Sequence, residues 1–106
     1  MDFKNSQVNV AIQVLPLTNA DHVYPIVDEA INVIEQSGLK YRVCPFETVI
    51  EGAYDEVMYL VEKVQAVCFD AGAENLICNL KIQSSIVKEV RIEDKIEKYD
   101  IKKGCS

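Results

Sequence analysis

Apolar and polar residues alternate at the start of the chain. Val8, Val10, Ile12 and Val14 are interleaved with Asn9, Ala11 and Gln13. A period of two predicts a half-buried strand, which Pro16 ends. Leu17 to Asp21 reads as a loop with several candidate N-caps. Val23, Ile26, Val27, Ala30, Ile31 and Ile34 then recur at helical spacing, with Asp28, Glu29, Asn32 and Glu35 on the other face. Pro25 suits only a first turn, so this helix is predicted to start close to it. Gly38 follows as a left-handed cap.

A short strand is predicted over 39–44. Pro45 interrupts it, and a second, hairpin-related strand follows over 46–51, with Pro45 at an edge or turn. From about Tyr54 to Ala71, Val57, Leu60, Val61, Val64 and Cys68 share one helical face. Asp55 and Glu56 sit in the first turn, where the helix dipole favours acids. Gly72 caps this helix. Leu76, Cys78, Leu80 and Ile82 alternate with Asn79, Lys81 and Gln83 as a last strand. The tail from Ser84 is charged, with Val90, Ile92, Ile96 and Tyr99 only sparsely apolar, and a short C-terminal helix is expected over 92–102.

The order is βα-ββ-αβ with a tail. Two helices covering one face of a four-stranded antiparallel sheet make an α/β (α+β) two-layer sandwich of ferredoxin-like βαββαβ plan. The 106 residues suffice for one core, so a single domain is expected, with a polar N-terminal tail over 1–6 and a C-terminal extension over 84–106. The second sheet face is expected to be uncovered, with Ala11, Leu15 and Ile77 among polar groups. A face of that kind is commonly closed by a partner subunit, so a homo-oligomer, dimer or tetramer, is expected.

Composition narrows the functional classes. The formal net charge is −6, and clustered Lys and Arg suited to a phosphate backbone are missing, which argues against nucleic acid. The polar start, Met1 to Gln7, lacks an apolar signal core, and no apolar run approaches a membrane span. A soluble cytoplasmic protein is the expectation. Cys44, Cys68, Cys78 and Cys105 form no C-x-x-C pair, and His22 is the only histidine, so no metal or other cofactor is expected. Cys68 and Cys78 lie in apolar surroundings and read as reduced core thiols; Cys105 reads as exposed.

Candidate chemistry concentrates between Glu47 and Met58. There a short strand carries Thr48 and ends at Glu51-Gly52, followed by the acidic start of the second helix. A carboxylate beside a glycine that admits close backbone approach can anchor a ligand. A solvated acid at a strand-to-helix turn is the plainer reading, since most glutamates are exposed.

Several segments together resemble the small thiamine-binding protein family. These are Val8 to Pro16, Ser37-Gly38-Leu39-Lys40-Tyr41, Thr48-Val49-Ile50-Glu51-Gly52, Asp55-Glu56-Val57-Met58, Gly72 and the strand 76–82. The T-x-I-E-G block followed by D-E-V-M is the specific part. The resemblance implies a ferredoxin-like fold and non-catalytic binding of thiamine or its hydroxymethylpyrimidine moiety, as carrier, buffer or sensor. The chain departs from the family pattern at Glu47, at Ala73-Glu74-Asn75, at 83–87 and in the loop Thr18 to His22.

An aminopyrimidine presents a ring acceptor, an amine donor and a flat face, and a thiazolium adds positive charge. Glu51 can accept from the amine, in a charge-assisted bond worth roughly 1.5–3 kcal/mol. Thr48 can complete the edge, and Tyr54, Phe46 or Tyr41 can stack, with a cation–π contribution from a thiazolium. On a regular strand, however, Thr48 and Glu51 point to opposite faces. Either the strand end twists, or one of the two is structural. His22 and Tyr24 begin the first helix, where a ligand can meet backbone N–H groups; the plainer reading of His22 is an exposed loop residue. Asn9, Gln13 and Asn79 share the open sheet face, as pocket lining or as contacts between subunits.

Two other classes compete with the binder. An oligomeric ferredoxin-like structural or regulatory module, binding another small molecule or none, is the alternative. An enzyme ranks last, because His22 has no Cys or Ser near it in sequence to activate.

Overall fold

The computed structural model describes residues 3–86 and Ile92. Its elements are a 3₁₀ turn (Phe3–Asn5), β1 (Gln7–Pro16), α1 (Ala20–Gln36), β2 (Lys40–Val43), β3 (Thr48–Ala53), α2 (Tyr54–Asp70) and β4 (Leu76–Gln83). The strands form one antiparallel sheet in the order β2-β3-β1-β4. This is the ferredoxin-like arrangement expected from the hydrophobic pattern. The expected C-terminal helix beyond Ile92, and Cys105, lie outside the described residues.

The register separates the residues of the sheet into two faces. On the helix side, Val10 pairs with Ile50 and Ile82, Ile12 with Thr48 and Leu80, and Val8 with Gly52. Ile26, Ala30 and Ile34 of α1, and Val57, Leu60, Val61, Val64 and Cys68 of α2, pack onto these strands as one core. On the opposite face, successive rows hold Lys40, Glu51, Asn9 and Gln83, then Arg42, Val49, Ala11 and Lys81, then Gln13 and Asn79, then Leu15 and Ile77.

Gly52 faces the core where α2 crosses β3. A Cβ there would meet Val57 Cγ2 at 3.2 Å and Leu39 Cδ2 at 3.3 Å. The close approach of α2 to the strand therefore uses the glycine. Gly38 and Gly72 both have positive φ, 80° and 117°, and end the two helices as their sequence positions predict.

Four details differ from the sequence pattern. First, α1 begins at Ala20, so Pro25 lies beyond its first turn. The Asp21 carbonyl forgoes its helical donor there, and Asp21 and its neighbours are exposed, so water can serve it. Second, β3 runs on to Ala53, past the expected end at Glu51. Third, Phe3 and Ser6 of the expected N-terminal tail are packed against the domain. Phe3 meets Tyr54 edge-on at 5.4 Å between ring centroids, and the buried Ser6 hydroxyl donates to the Ser85 carbonyl at 3.2 Å. Fourth, the sheet face opposite the helices is covered in part by the same chain. Ile92 lies over it, only 3% exposed.

Candidate ligand-binding site

Two concavities flank the β2–β3 hairpin, one on each face of the sheet. The helix-side cleft, about 300 Å³, lies between α1, the hairpin and the edge of β1 left free beyond the Ile12–Thr48 pair. Its floor is apolar, from Ile12, Ile31, Ile34, Val43 and Val64. Tyr24 and Phe46 line it while being 77% and 81% exposed. Two large aromatic rings held at one mouth are available to stack on a flat ligand. Asp28 also lines the cleft, and its lining contains neither Lys nor Arg. The Thr48 side chain, 7% exposed, sits on the same face.

The geometry follows from local structure. Tyr24, Asp28 and Ile31 are spaced i, i+4 and i+7 on α1, so they form one stripe facing the hairpin. The hairpin turn is closed by the Cys44 amide donating to the Glu47 carbonyl at 2.8 Å, and Pro45 and Phe46 project from it. Thr48 stands on the helix side because it pairs with Ile12. Gln13 sits at the border of both faces, its Oε1 accepting from Asn79 Nδ2 at 3.2 Å.

The second cavity, about 310 Å³, lies on the opposite face over Ala11, Val49 and Asn9 and is closed on one side by Ile92. Glu51 points to this face. It is 8% exposed, and its Oε1 accepts the backbone N–H of Ile92 at 2.6 Å. Asn9, 2% exposed, is its cross-strand neighbour. Glu47 Oε1 lies 3.7 Å from Lys81 Nζ at the cavity's rim, an exposed pair of little energetic weight.

The structure thus divides the residues singled out in the sequence. Thr48, Phe46 and Gln13 line the helix-side cleft, while Glu51 and Asn9 belong to the opposite face. Tyr54 is engaged with Phe3 at the start of α2, and His22 is exposed in the first turn of α1. β3 stays regular through Glu51, so the twist that would have brought Thr48 and Glu51 together does not occur. Tyr24 and Asp28 join the cleft in their place. Their i, i+4 stripe was legible, but Asp28 reads as part of the polar face of α1 until the hairpin is seen beside it.

Among the described residues, two cysteines carry free thiols. Cys68 is buried and Cys78 half-buried, and both are free. Burial pushes the Cys68 thiol above its ordinary range, and neighbouring Cys78 adds to the shift; burial alone raises Cys78. Cys44 is disulfide-bonded. Among the described residues, no cluster of His, Cys, Asp and Glu is arranged to hold a metal ion, and no helix is long and apolar enough to cross a membrane.

Fold and site together define a small ferredoxin-like α+β domain with an aromatic-rimmed, acid-bearing cleft beside its β2–β3 hairpin. Residues 10–100 match the family described as thiamine-binding protein, and the chain belongs to that family. It is 36% identical to a UPF0045 protein of Clostridium perfringens over 91 residues, covering 86% of this chain and 95% of that protein. Among solved structures, a DUF77 domain of Bacillus cereus superposes with a TM-score of 0.84 at 37% identity, covering 93% of this chain and 95% of that one. A Thermotoga maritima protein provisionally named for thiamine biosynthesis or salvage superposes at 0.80 with 30% identity, covering 88% and 98%.

Proposed function

We propose that this protein binds thiamine or its hydroxymethylpyrimidine moiety in the helix-side cleft, without catalysing a reaction on it. The observation that carries the reading is that Tyr24 and Phe46, both widely exposed, line one cleft together with Asp28 and Glu47, and that no Lys or Arg among the described residues lines it. An exposed aromatic pair over an apolar floor suits a flat heterocycle, and a carboxylate without a competing cation suits an exocyclic amine or a thiazolium. The membership in the thiamine-binding family and the name of the Thermotoga relative support the same ligand class.

A carrier, buffer or sensor role fits this set of groups better than catalysis. The free thiols are protonated and screened by burial, and His22 is exposed at the start of α1 rather than among the groups lining the cleft. The homo-oligomer expected from the sequence would close the sheet face opposite the helices, where Leu15 and Ile77 are exposed.

Calorimetric titration of the purified protein with thiamine and with hydroxymethylpyrimidine tests the reading. Saturable heat near one ligand per chain is expected with at least one of them. No heat with either compound would overturn it.

A further inference from the structure

The helix-side cleft does not stop at the sheet. β3 pairs with β1 only as far as Thr48 and Ile12, and beyond that pair the cleft reaches round the edge of β1. A third hollow, about 470 Å³, lies there over Ala11, Gln13, Asn79 and Lys81 of the opposite face. Gln13, Phe46 and Glu47 line both spaces, so the two meet at the hairpin turn.

Their chemistry differs. The cleft is apolar, aromatic and acidic, and no Lys or Arg among the described residues lines it. The hollow is more polar and holds Lys81. Lys81 Nζ lies 3.7 Å from Glu47 Oε1, so a cation stands within ion-pair distance of a group on the cleft's own wall. The Lys81 side chain is 83% exposed, and an exposed pair of this kind is weak enough for a stronger anion to take the lysine. Beside it, Asn79 Nδ2 donates to Gln13 Oε1 at 3.2 Å. With its oxygen so engaged, the Gln13 amide has Nε2 as the atom able to donate to a ligand.

Taking the cleft to hold a thiamine-type heterocycle as proposed above, we infer that the preferred form of that ligand is its phosphate ester, with the ring against Phe46 and the phosphate on Lys81 and Gln13. Thiamine and hydroxymethylpyrimidine each carry a primary alcohol, the group on which such an ester forms. A ring stacked on Phe46 brings that alcohol to the hairpin turn, where the hollow opens. The phosphate offers Lys81 more negative charge and more acceptor oxygens than the Glu47 carboxylate does. Glu47 opposes the ester, because it competes for Lys81 and repels the added charge. The net charge of −6 works in the same direction. A gain in affinity on phosphorylation therefore has to come from Lys81 and its neighbours.

Calorimetric titration of the full chain with thiamine, with hydroxymethylpyrimidine and with the monophosphate of each tests this. In the parent protein an ester is expected to bind about fivefold more tightly than its alcohol, the upper range for one exposed ion pair. Lys81→Gln is expected to erase that difference and to leave the alcohols unchanged, since Lys81 is not among the residues lining the cleft. Glu47→Gln is expected to widen the ratio of ester to alcohol affinity, because it releases Lys81. An unchanged far-ultraviolet circular dichroism spectrum shows that both variants fold. An alcohol that binds as tightly as its ester in the parent, or a preference for the ester that survives Lys81→Gln, would overturn the inference and leave the cleft reading standing. No heat with any of the four compounds would overturn the cleft reading as well.

Discussion

The backbone N–H of Ile92 and the carboxylate of Glu51 meet at 2.6 Å although 41 positions separate them in the chain. Glu51 is on the face of β3 away from the helices, beside Asn9, and is almost wholly shielded from water. A carboxylate in that setting needs a donor, and the chain returns to provide one. This bond defines the outer face of the sheet much as the core residues define the inner one.

Glu51→Ala should therefore destabilise the fold by about 1–3 kcal/mol, the usual effect of leaving a buried donor without its acceptor. Urea denaturation measures it. Thiamine affinity should be unchanged, because the cleft is on the opposite side of the sheet; a parallel loss of affinity would return Glu51 to the ligand.

Tyr24→Ala and Phe46→Ala should each weaken thiamine binding about tenfold, consistent with loss of one stacking or cation–π contact. Both side chains are largely exposed, so the melting temperature should hardly move. Asp28→Asn should weaken the cationic ligand more than neutral hydroxymethylpyrimidine. Calorimetric titration of each variant with both compounds gives the comparison.

Gly52→Val should destabilise by about 1–3 kcal/mol through overpacking against Val57 and Leu39. Gly52→Ala should be milder, because both contacting groups are side-chain ends able to shift. The two denaturation midpoints, read against the parent, order the effect.

Stability should fall as pH rises above about 9. The folded protein keeps Cys68 and Cys78 protonated beyond their ordinary value of 9.0, whereas the unfolded chain begins to ionise there. Their contribution is thus complete below 9.0 and is lost as pH climbs through the raised folded values. Denaturation midpoints at pH 7.5 and pH 10 should differ less in a Cys68→Ala, Cys78→Ala double variant than in the parent. An equal drop in both proteins would remove the thiols from the explanation.

The strands and helices were legible because burial on one face writes its period directly into the chain. Val8, Val10 and Ile12 announce β1, and Val57, Leu60, Val61 and Val64 announce α2, with Gly38 and Gly72 marking the ends of both helices. The element order then allowed little besides a two-layer sandwich, and the T-x-I-E-G and D-E-V-M segments carried the family. Even the opposite orientation of Thr48 and Glu51 follows from counting along the strand.

Partnership across the sheet was beyond such counting. Whether Asp28 faces water or a cleft depends on where the β2–β3 hairpin stands beside α1. Whether Glu51 meets a ligand or the chain's own amide depends on a return path from residue 86 to Ile92. Local spacing encodes which face a side chain takes, because the period of the backbone decides it. What lies opposite that face is decided by contacts between distant segments, which only the folded chain brings together.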